Sequence, residues 1–533
     1  MSQQKSVSSG AFAPLTQGLF AVIWAATVLG NTGSFMRDVA SSWLVTGLSS
    51  NPAAVALMQT AATLPFFLLA IPAGVLSDIV DRRRLLIAVQ LLLASVSGTL
   101  LLLSHFQLLT VDYLVALTFV GGIGAALMGP AWQAIVPELV PRQQLRNAVA
   151  LNSLGINIAR AIGPAAGGLL LAGLGAWAAY GADVLSYVFV IAALLWWKRP
   201  VKAQDALQEH FFGAFRAGLR YVRSSQELHR VLLRAAIYFV FASAIWALLP
   251  LVARNLLQGS ASFYGVMLGA VGVGAIVGAL VLARLRSLIS SDGLMLLSAA
   301  LSALVMVTLA LLPLQWLALP LMIVLGVSWI IALTTLNGVA QAVLPDWVRG
   351  RGLSVYLMVF NGAMAAGSLF WGLMASRTGL VMALLLAGSA LIIAALLCWK
   401  LKLPGGEADL QPSGHWDEPT LEGHAHVHVH HGAQGPVMIQ IHYQIAAEDR
   451  SAFLAAIKKL SLSRRRGGAS AWGIAQHSAE PDTLVEWFLV ESWQEHLRQH
   501  QRVSHADAAL QQEVQRFHRG TDKPQVHHLL SLN

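Results

Sequence analysis

Charge and cysteine are both scarce in this 533-residue sequence. Asp, Glu, Lys and Arg together make up 11% of it, where soluble domains carry about a quarter. That shortage excludes an ordinary water-soluble protein. A single cysteine, Cys398, excludes an internal disulfide. No Gly-x-x-x-x-Gly-Lys-Ser/Thr phosphate loop occurs, so any work done must draw on an ion gradient or on the gradient of the substrate itself. The first 17 residues hold only Lys5 and no small-residue cleavage site. The apolar run behind them is too long for a signal-peptide core and is expected to stay as a first helix.

What the chain has instead is apolar length. Its hydrophobic fraction is 56%, gathered into runs of the roughly 20 residues that cross a bilayer core. Twelve spans are expected, at 18–46, 53–76, 85–104, 111–136, 143–172, 176–197, 231–253, 263–285, 292–313, 316–342, 352–376 and 379–401. A polar stretch from Lys198 to Arg230 divides them six and six. The net charge of +9 does not point to nucleic acid, because the basic residues sit in short loops between apolar runs. Loops sharing a side with the N-terminus carry Arg82–Arg84, Arg142, Arg146, the cluster from Lys198 to Arg230, Arg284, Arg286, Arg349, Arg351, Lys400 and Lys402. The opposite loops offer Arg254 and Arg377. This bias predicts that both termini are cytoplasmic.

A repeat supports two related halves. Gln133-Ala-Ile-Val-Pro-Glu-Leu-Val-Pro-Arg142 returns as Gln341-Ala-Val-Leu-Pro-Asp-Trp-Val-Arg-Gly350, each closing the fourth span of its half and opening the fifth. Between the halves, Phe211, Phe215, Leu219 and Val222 recur at helical spacing with Arg216, Arg220 and Arg223 on other faces. This pattern predicts an amphipathic helix lying on the membrane surface. After Leu403 the chemistry changes. Residues 403–436 read as a Gly-, Pro- and His-rich linker. From Val437 onward the alternation of Val437, Ile439, Ile441, Tyr443 and Ile445 predicts a half-buried strand. A helix from Ala447, strands at 470–477 and 483–491, a helix over 493–517 and a strand at 525–530 complete a β-α-β-β-α-β, ferredoxin-like order.

The loop after the second span reads Gly74-Val-Leu-Ser-Asp78-Ile-Val-Asp81-Arg82-Arg83-Arg84, and it resembles the signature loop of the major facilitator superfamily. A Gly there permits close helix approach, and an acid is suited to pair with a base or a helix N-terminus. The fifth span carries Arg160-Ala-Ile-Gly163-Pro164-Ala-Ala-Gly167-Gly168, similar to the Gly-Pro motif of that superfamily's antiporters. Two upstream glycines of that pattern are Ala150 and Ala159 here. Together with Trp132 to Leu139, Asn152, Asp183 and Ser186, these residues resemble the branch of enterobactin exporters and related efflux proteins over residues 18–401. The resemblance implies an exporter. The Arg that many drug/proton antiporters place in the fourth span is absent from Leu117-Thr-Phe-Val-Gly121-Gly122, so their coupling scheme does not carry over.

Ionisable residues inside apolar spans are costly and are functional candidates by default. The first half has Arg37 and Asp38 in span one, Arg160 in span five and Asp183 in span six; the second half has none well inside a span. With Asn31, these are the candidates for proton coupling and substrate binding. The expectation is that Asp38 or Asp183 carries the coupling proton and that Arg160 holds the carboxylate ionised. A static ion network is the alternative. Arg37 and Asp38 are sequence neighbours, for which mutual pairing is not the default.

The linker holds His424, His426, His428, His430 and His431, read as a solvated stretch with weak metal binding as the alternative. Val485 to Trp493, followed by His496, His500 and His505, resembles the dimeric α+β barrel family that includes antibiotic-biosynthesis monooxygenases. That resemblance implies pairing through sheets, and no catalytic residue is assigned from it. The expectation is therefore an all-α membrane protein of twelve transmembrane helices in two six-helix halves with a C-terminal ferredoxin-like domain. Its segments are 1–17, 18–197, 198–230, 231–402, 403–436 and 437–533. The expected function is proton-coupled export of a siderophore- or drug-like small molecule from the plasma membrane. No cofactor or nucleic-acid partner is expected, and a homodimer would form through the C-terminal domain. The alternative is a tethered enzyme or sensor whose activity lies in that domain.

Overall fold

The computed structural model describes residues 12–197, 211–345, 347–405 and 436–531. Twelve of its helices are long and apolar enough to cross a membrane. The first six are α1 (Gly18–Leu48), α2 (Pro52–Ile79), α3 (Arg82–His105), α4 (Val111–Leu139), α5 (Leu145–Leu174) and α6 (Ala176–Trp196). The short amphipathic helix α7 (Phe211–Ser224) follows. The second six are α8 (Gln226–Leu251, running on through a π-turn, Val252–Leu256), α9 (Ala261–Leu288), α10 (Ser291–Leu311), α11 (Gln315–Ala342), α12 (Arg349–Thr378) and α13 (Leu380–Leu397). The expected spans differ from these by a few residues at their ends.

Short polar residues at the turns start the helices. The Asn51 side chain accepts from Ala53 N at 3.0 Å, with Pro52 at the first helical position of α2. Thr110, Ser260 and Ser290 cap α4, α9 and α10 in the same way. The junctions α5–α6 and α12–α13 each turn on a glycine with positive φ, Gly175 at +95° and Gly379 at +88°. A side chain is strained at such a φ. These glycines occupy equivalent places in the two halves and extend the repeat seen in the sequence.

By compactness the chain forms two units. One comprises 1–204, 232–337 and 354–403, and the other 205–231, 338–353 and 404–533. The second unit therefore contains α7 and the loop between α11 and α12 as well as the C-terminal domain. Strands β1 (Val437–Gln444), β2 (Ala471–Gln476), β3 (Thr483–Val490) and β4 (Gln525–Leu530) form an antiparallel sheet in the order β2-β3-β1-β4. Helices α14 (Arg450–Gly467), α15 (Trp493–Arg502) and α16 (His505–Gln515) complete the domain. The sequence suggests one helix over 493–517. The chain instead breaks at Val503, because Ser504 and Asp507 form a capping box that starts a new helix. The domain core joins Val437, Ile439, Phe453, Ile457, Leu460 and Phe488. Within it Glu486, fully buried, accepts from Trp472 Nε1 (3.0 Å), Tyr443 Oη (3.2 Å) and Arg464 Nε (3.2 Å).

Candidate functional site

The first half has an ionic centre where α1, α3 and α6 meet. Asp183 is fully buried on α6. Its Oδ2 accepts from Ser97 Oγ of α3 at 2.6 Å and from Arg37 Nη1 of α1 at 3.3 Å. Arg37 Nη1 also donates to Tyr187 Oη at 3.0 Å, and Tyr187 Oη meets Ser34 Oγ at 3.0 Å. Helical spacing explains the convergence: Asp183 and Tyr187 are one turn apart on α6, as are Ser34 and Arg37 on α1. Asp183 Oδ1 is buried with no hydrogen-bond partner among the described residues. A Cβ at Gly33 of α1 would stand 2.9 Å from that oxygen. One carboxylate oxygen is thus held by two donors while the other faces a glycine.

The candidates Asn31, Arg37, Asp38, Arg160 and Asp183 all lie among the described residues. Arg37 Nη2 reaches Asp38 Oδ1 at 3.0 Å, correcting the expectation that the neighbours do not pair; the long guanidinium arm folds back along the helix. Asp38 is 56% exposed, so its carboxylate opens away from the buried centre. Asn31 lies on α1 and Arg160 on α5, both half-buried. Neither joins the Asp183 network, where the guanidinium is that of Arg37. Ser97, Tyr187 and Ser34 were missed by sequence reasoning. Their only signal was a hydroxyl within an apolar span.

The signature loop is built from helix ends. Asp81 caps α3 by accepting from Arg84 N at 2.9 Å. Arg82 pairs with Glu138 at 3.0 Å. Arg83 donates to the last carbonyls of α6, Leu194 O at 2.7 Å and Leu195 O at 2.8 Å. A Cβ at Gly74 would meet nothing within 4 Å. The side chain of Asp78 lies outside the described residues, as do His424, His426, His428 and His430.

The Gly-Pro motif lies at a seam. A Cβ at Gly163 would approach Thr32 O (2.9 Å), and one at Gly167 would approach Met36 Cα (2.7 Å), both on α1. Gly168 faces α9 of the other half, Ala261 O at 2.7 Å and Gly265 Cα at 3.0 Å from its ideal Cβ; Pro164 O abuts Gly265. Further along, Gly272 of α9 lies against Ala161 of α5. Towards the same end of the bundle, Arg254 donates to Thr46 Oγ1 at 3.0 Å and lies 5.3 Å from the Trp43 ring centroid. Trp43 stacks on Tyr264 at 5.8 Å, and Thr60 Oγ1 donates to Ala365 O at 3.2 Å. Among the described residues, these contacts between halves run from the middle of the helices to the end opposite the one where α1 begins.

The second half has a different centre. Tyr238 Oη lies 2.6 Å from Ser298 Oγ, and Ser302 Oγ lies 2.6 Å from Ser328 Oγ, all buried between α8, α10 and α11. Beside them Phe239, Trp246, Trp329 and Phe360 pack ring on ring, with centroids 4.5–5.4 Å apart. The buried cation of this half, Arg234, sits at the helix ends. It donates to Asp292 (2.8 Å), Cys398 O (2.7 Å) and Leu401 O (2.9 Å).

Residues 9–533 match the family described as transmembrane secretion effector. The chain is 25% identical over 383 residues to the staphyloferrin A transporter of Staphylococcus aureus, covering 70% of this chain and 94% of that protein. It is 30% identical over 333 residues to the enterobactin exporter EntS of Salmonella typhi, covering 61% of this chain and 78% of that protein. In fold it is similar to the inward-facing, unoccupied structure of a bacterial homolog of the human lysosomal transporter Spinster. The TM-score is 0.57 at 15% identity, over 72% of this chain and 95% of that one.

Proposed function

The chain belongs to the transmembrane secretion effector family, and from that premise we propose that it exports a siderophore- or drug-like molecule in exchange for protons, by alternating access. The observation that carries the coupling is the half-satisfied carboxylate of Asp183. Oδ2 is fixed by Ser97 and Arg37, and Oδ1 is buried and unpartnered among the described residues. A buried oxygen without a donor is a natural seat for a proton. Protonation neutralises Asp183 and weakens its hold on Arg37, which leaves the guanidinium, already paired with Asp38, free to turn toward an anionic group of the substrate.

The seam supports alternating access. The halves touch from the middle of the helices to the end opposite the one where α1 begins. With the termini in the cytoplasm, as the basic loops argue, a seam on the far side suits a carrier that loads its cargo from the cytoplasm. Asn31, Arg37, Asp38 and Arg160 supply polar groups for the cargo, and the Trp246–Trp329–Phe360 surface supplies an aromatic wall. The C-terminal domain is proposed to pair with a second copy through β4, an edge strand with Val526 and Leu529 exposed.

Purified protein in proteoliposomes tests the reading by substrate-evoked proton movement against a catecholate siderophore and a small drug panel. The expected result is proton flux with at least one compound that disappears in Asp183→Asn. Substrate flux without proton movement overturns the coupling. Loss of substrate flux on deleting residues 404–533, from a protein that still inserts and purifies, would favour the reading in which the C-terminal domain acts.

A further inference from the structure

Away from the membrane-spanning helices, three imidazoles meet in the C-terminal domain. His496 and His500 stand one turn apart on α15. His528 stands on β4, in register with Ile439 of β1. His496 Nε2 lies 3.0 Å from His528 Nε2 and 3.2 Å from His500 Nε2. His496 is 2% exposed.

A ring nitrogen has one in-plane function, either a lone pair or an N–H. His496 Nε2 therefore cannot make full hydrogen bonds to both neighbours, and one contact is left electrostatically poor. A cation facing all three Nε2 lone pairs relieves that contact and puts each ring proton on Nδ1, which at His496 is buried with no hydrogen-bond partner among the described residues. Two further facts point the same way. Histidines at i and i+4 on one helical face are the spacing that grips a metal. Nitrogens about 2.0–2.1 Å from one ion lie about 2.9–3.4 Å apart, from octahedral to tetrahedral geometry, and both contacts fall in that range.

We propose that His496, His500 and His528 form a binding site for a late first-row divalent transition metal, Ni²⁺, Cu²⁺ or Zn²⁺. Among the described residues no three such side chains already surround a single point. His496 stands between the other two, and the row closes on an ion when His500 or His528 turns. The adjoining cavity, about 180 Å³ and floored by Ile439, Ile441 and Phe488, gives the rings room to do so. Burial keeps the rings neutral and their lone pairs available. It pushes His496 down to about 3 and His500 down to about 4, helped by neighbouring His and Arg464 charges, and it lowers His528 as well. Arg464 also lines the cavity, and its charge opposes a bound cation. Glu486 pairs with it at 3.2 Å and offsets that charge.

The residue after His496 is Leu497, where a hydrolytic helix motif has a glutamate base, so the site suits holding or sensing a metal. Helix α15 also carries Arg502, whose guanidinium lies 4.4 Å from the ring centroid of Trp347 in the α11–α12 loop. A metal that draws on α15 therefore acts on a helix already seated against that loop. The inference rests on geometry independent of the transport reading.

Co²⁺ binding to the full chain in detergent tests it, with His424, His426, His428, His430 and His431 replaced by Ala so that the linker cannot contribute. The expected result is one Co²⁺ per chain with visible d–d absorption and a metal-dependent rise in Tm. His500→Gln and His528→Gln should each weaken binding at least tenfold, while His442→Gln should not. Each variant is compared with its parent by metal-free Tm and gel filtration, and His500→Asn substitutes for a variant that fails to fold. No Co²⁺ bound at tenfold excess, or unchanged affinity in both the His500 and His528 variants, overturns the proposal.

Discussion

The two six-helix halves share a repeat and a turn glycine, yet their buried centres use opposite chemistry. The first half gathers Arg37, Asp183, Tyr187 and Ser97 into an ionic cluster. The second closes its centre with the hydroxyls of Tyr238, Ser298, Ser302 and Ser328. Hydroxyls donate and accept in closed circuits without net charge, and such a centre responds little to protonation. An ion pair in the same setting changes its total charge when one proton arrives. On the export reading proposed above, the first half would sense the proton and the second would serve as a fixed polar anchor.

The largest effect should come from breaking the pair on one side. Arg37→Met leaves Asp183 as a buried lone carboxylate, a loss of about 3–5 kcal/mol, expected as a collapse in the yield of folded protein on fluorescence size-exclusion. Arg37→Met with Asp183→Asn removes both charges and should recover most of the yield without recovering export. If the single variant folds normally, the centre is not an electrostatic unit. Next, Asp183→Asn alone, near-isosteric, should fold and lose substrate-evoked proton movement while export falls at least tenfold. A variant with normal coupling ends the contrast between the halves. Smaller still, Ser302→Ala removes one hydroxyl from the second centre at about 1 kcal/mol. It should lower Tm by a few degrees and leave the pH profile of export unmoved; a shifted profile would mean that the second half also titrates. Smallest is Gly74→Ala, which meets nothing in this state and should leave Tm unchanged. If Gly74 serves close approach in the opposite state, the variant slows export without altering stability.

The twelve spans and the four C-terminal strands were legible in the sequence because each depends on local apolar period and length. The partner of Asp183 was not. The sequence pointed to Arg160, whereas the guanidinium at Asp183 is that of Arg37; choosing between them requires the relative rotation of α1, α5 and α6, a property of packing across 146 residues of chain separation. The unequal halves were visible as a missing set of charges. The hydroxyl centre that replaces them was not, because serine in an apolar span reads as filler. The break at Val503 escaped for a similar reason: the capping box that makes it was overshadowed by the helical period on both sides.

The seam between α5 and α9 has a consequence for rate. Gly168, Gly265, Gly272 and Ala161 bring backbone against backbone with no side-chain hydrogen bond between them among the described residues. Parting this face of small residues gives up dispersion alone, although the halves are also joined beside it by the Arg254–Thr46 hydrogen bond. On the alternating-access reading, parting of that face should follow temperature and lipid thickness, and acid should act at carboxylates elsewhere in the first half, Asp183 foremost.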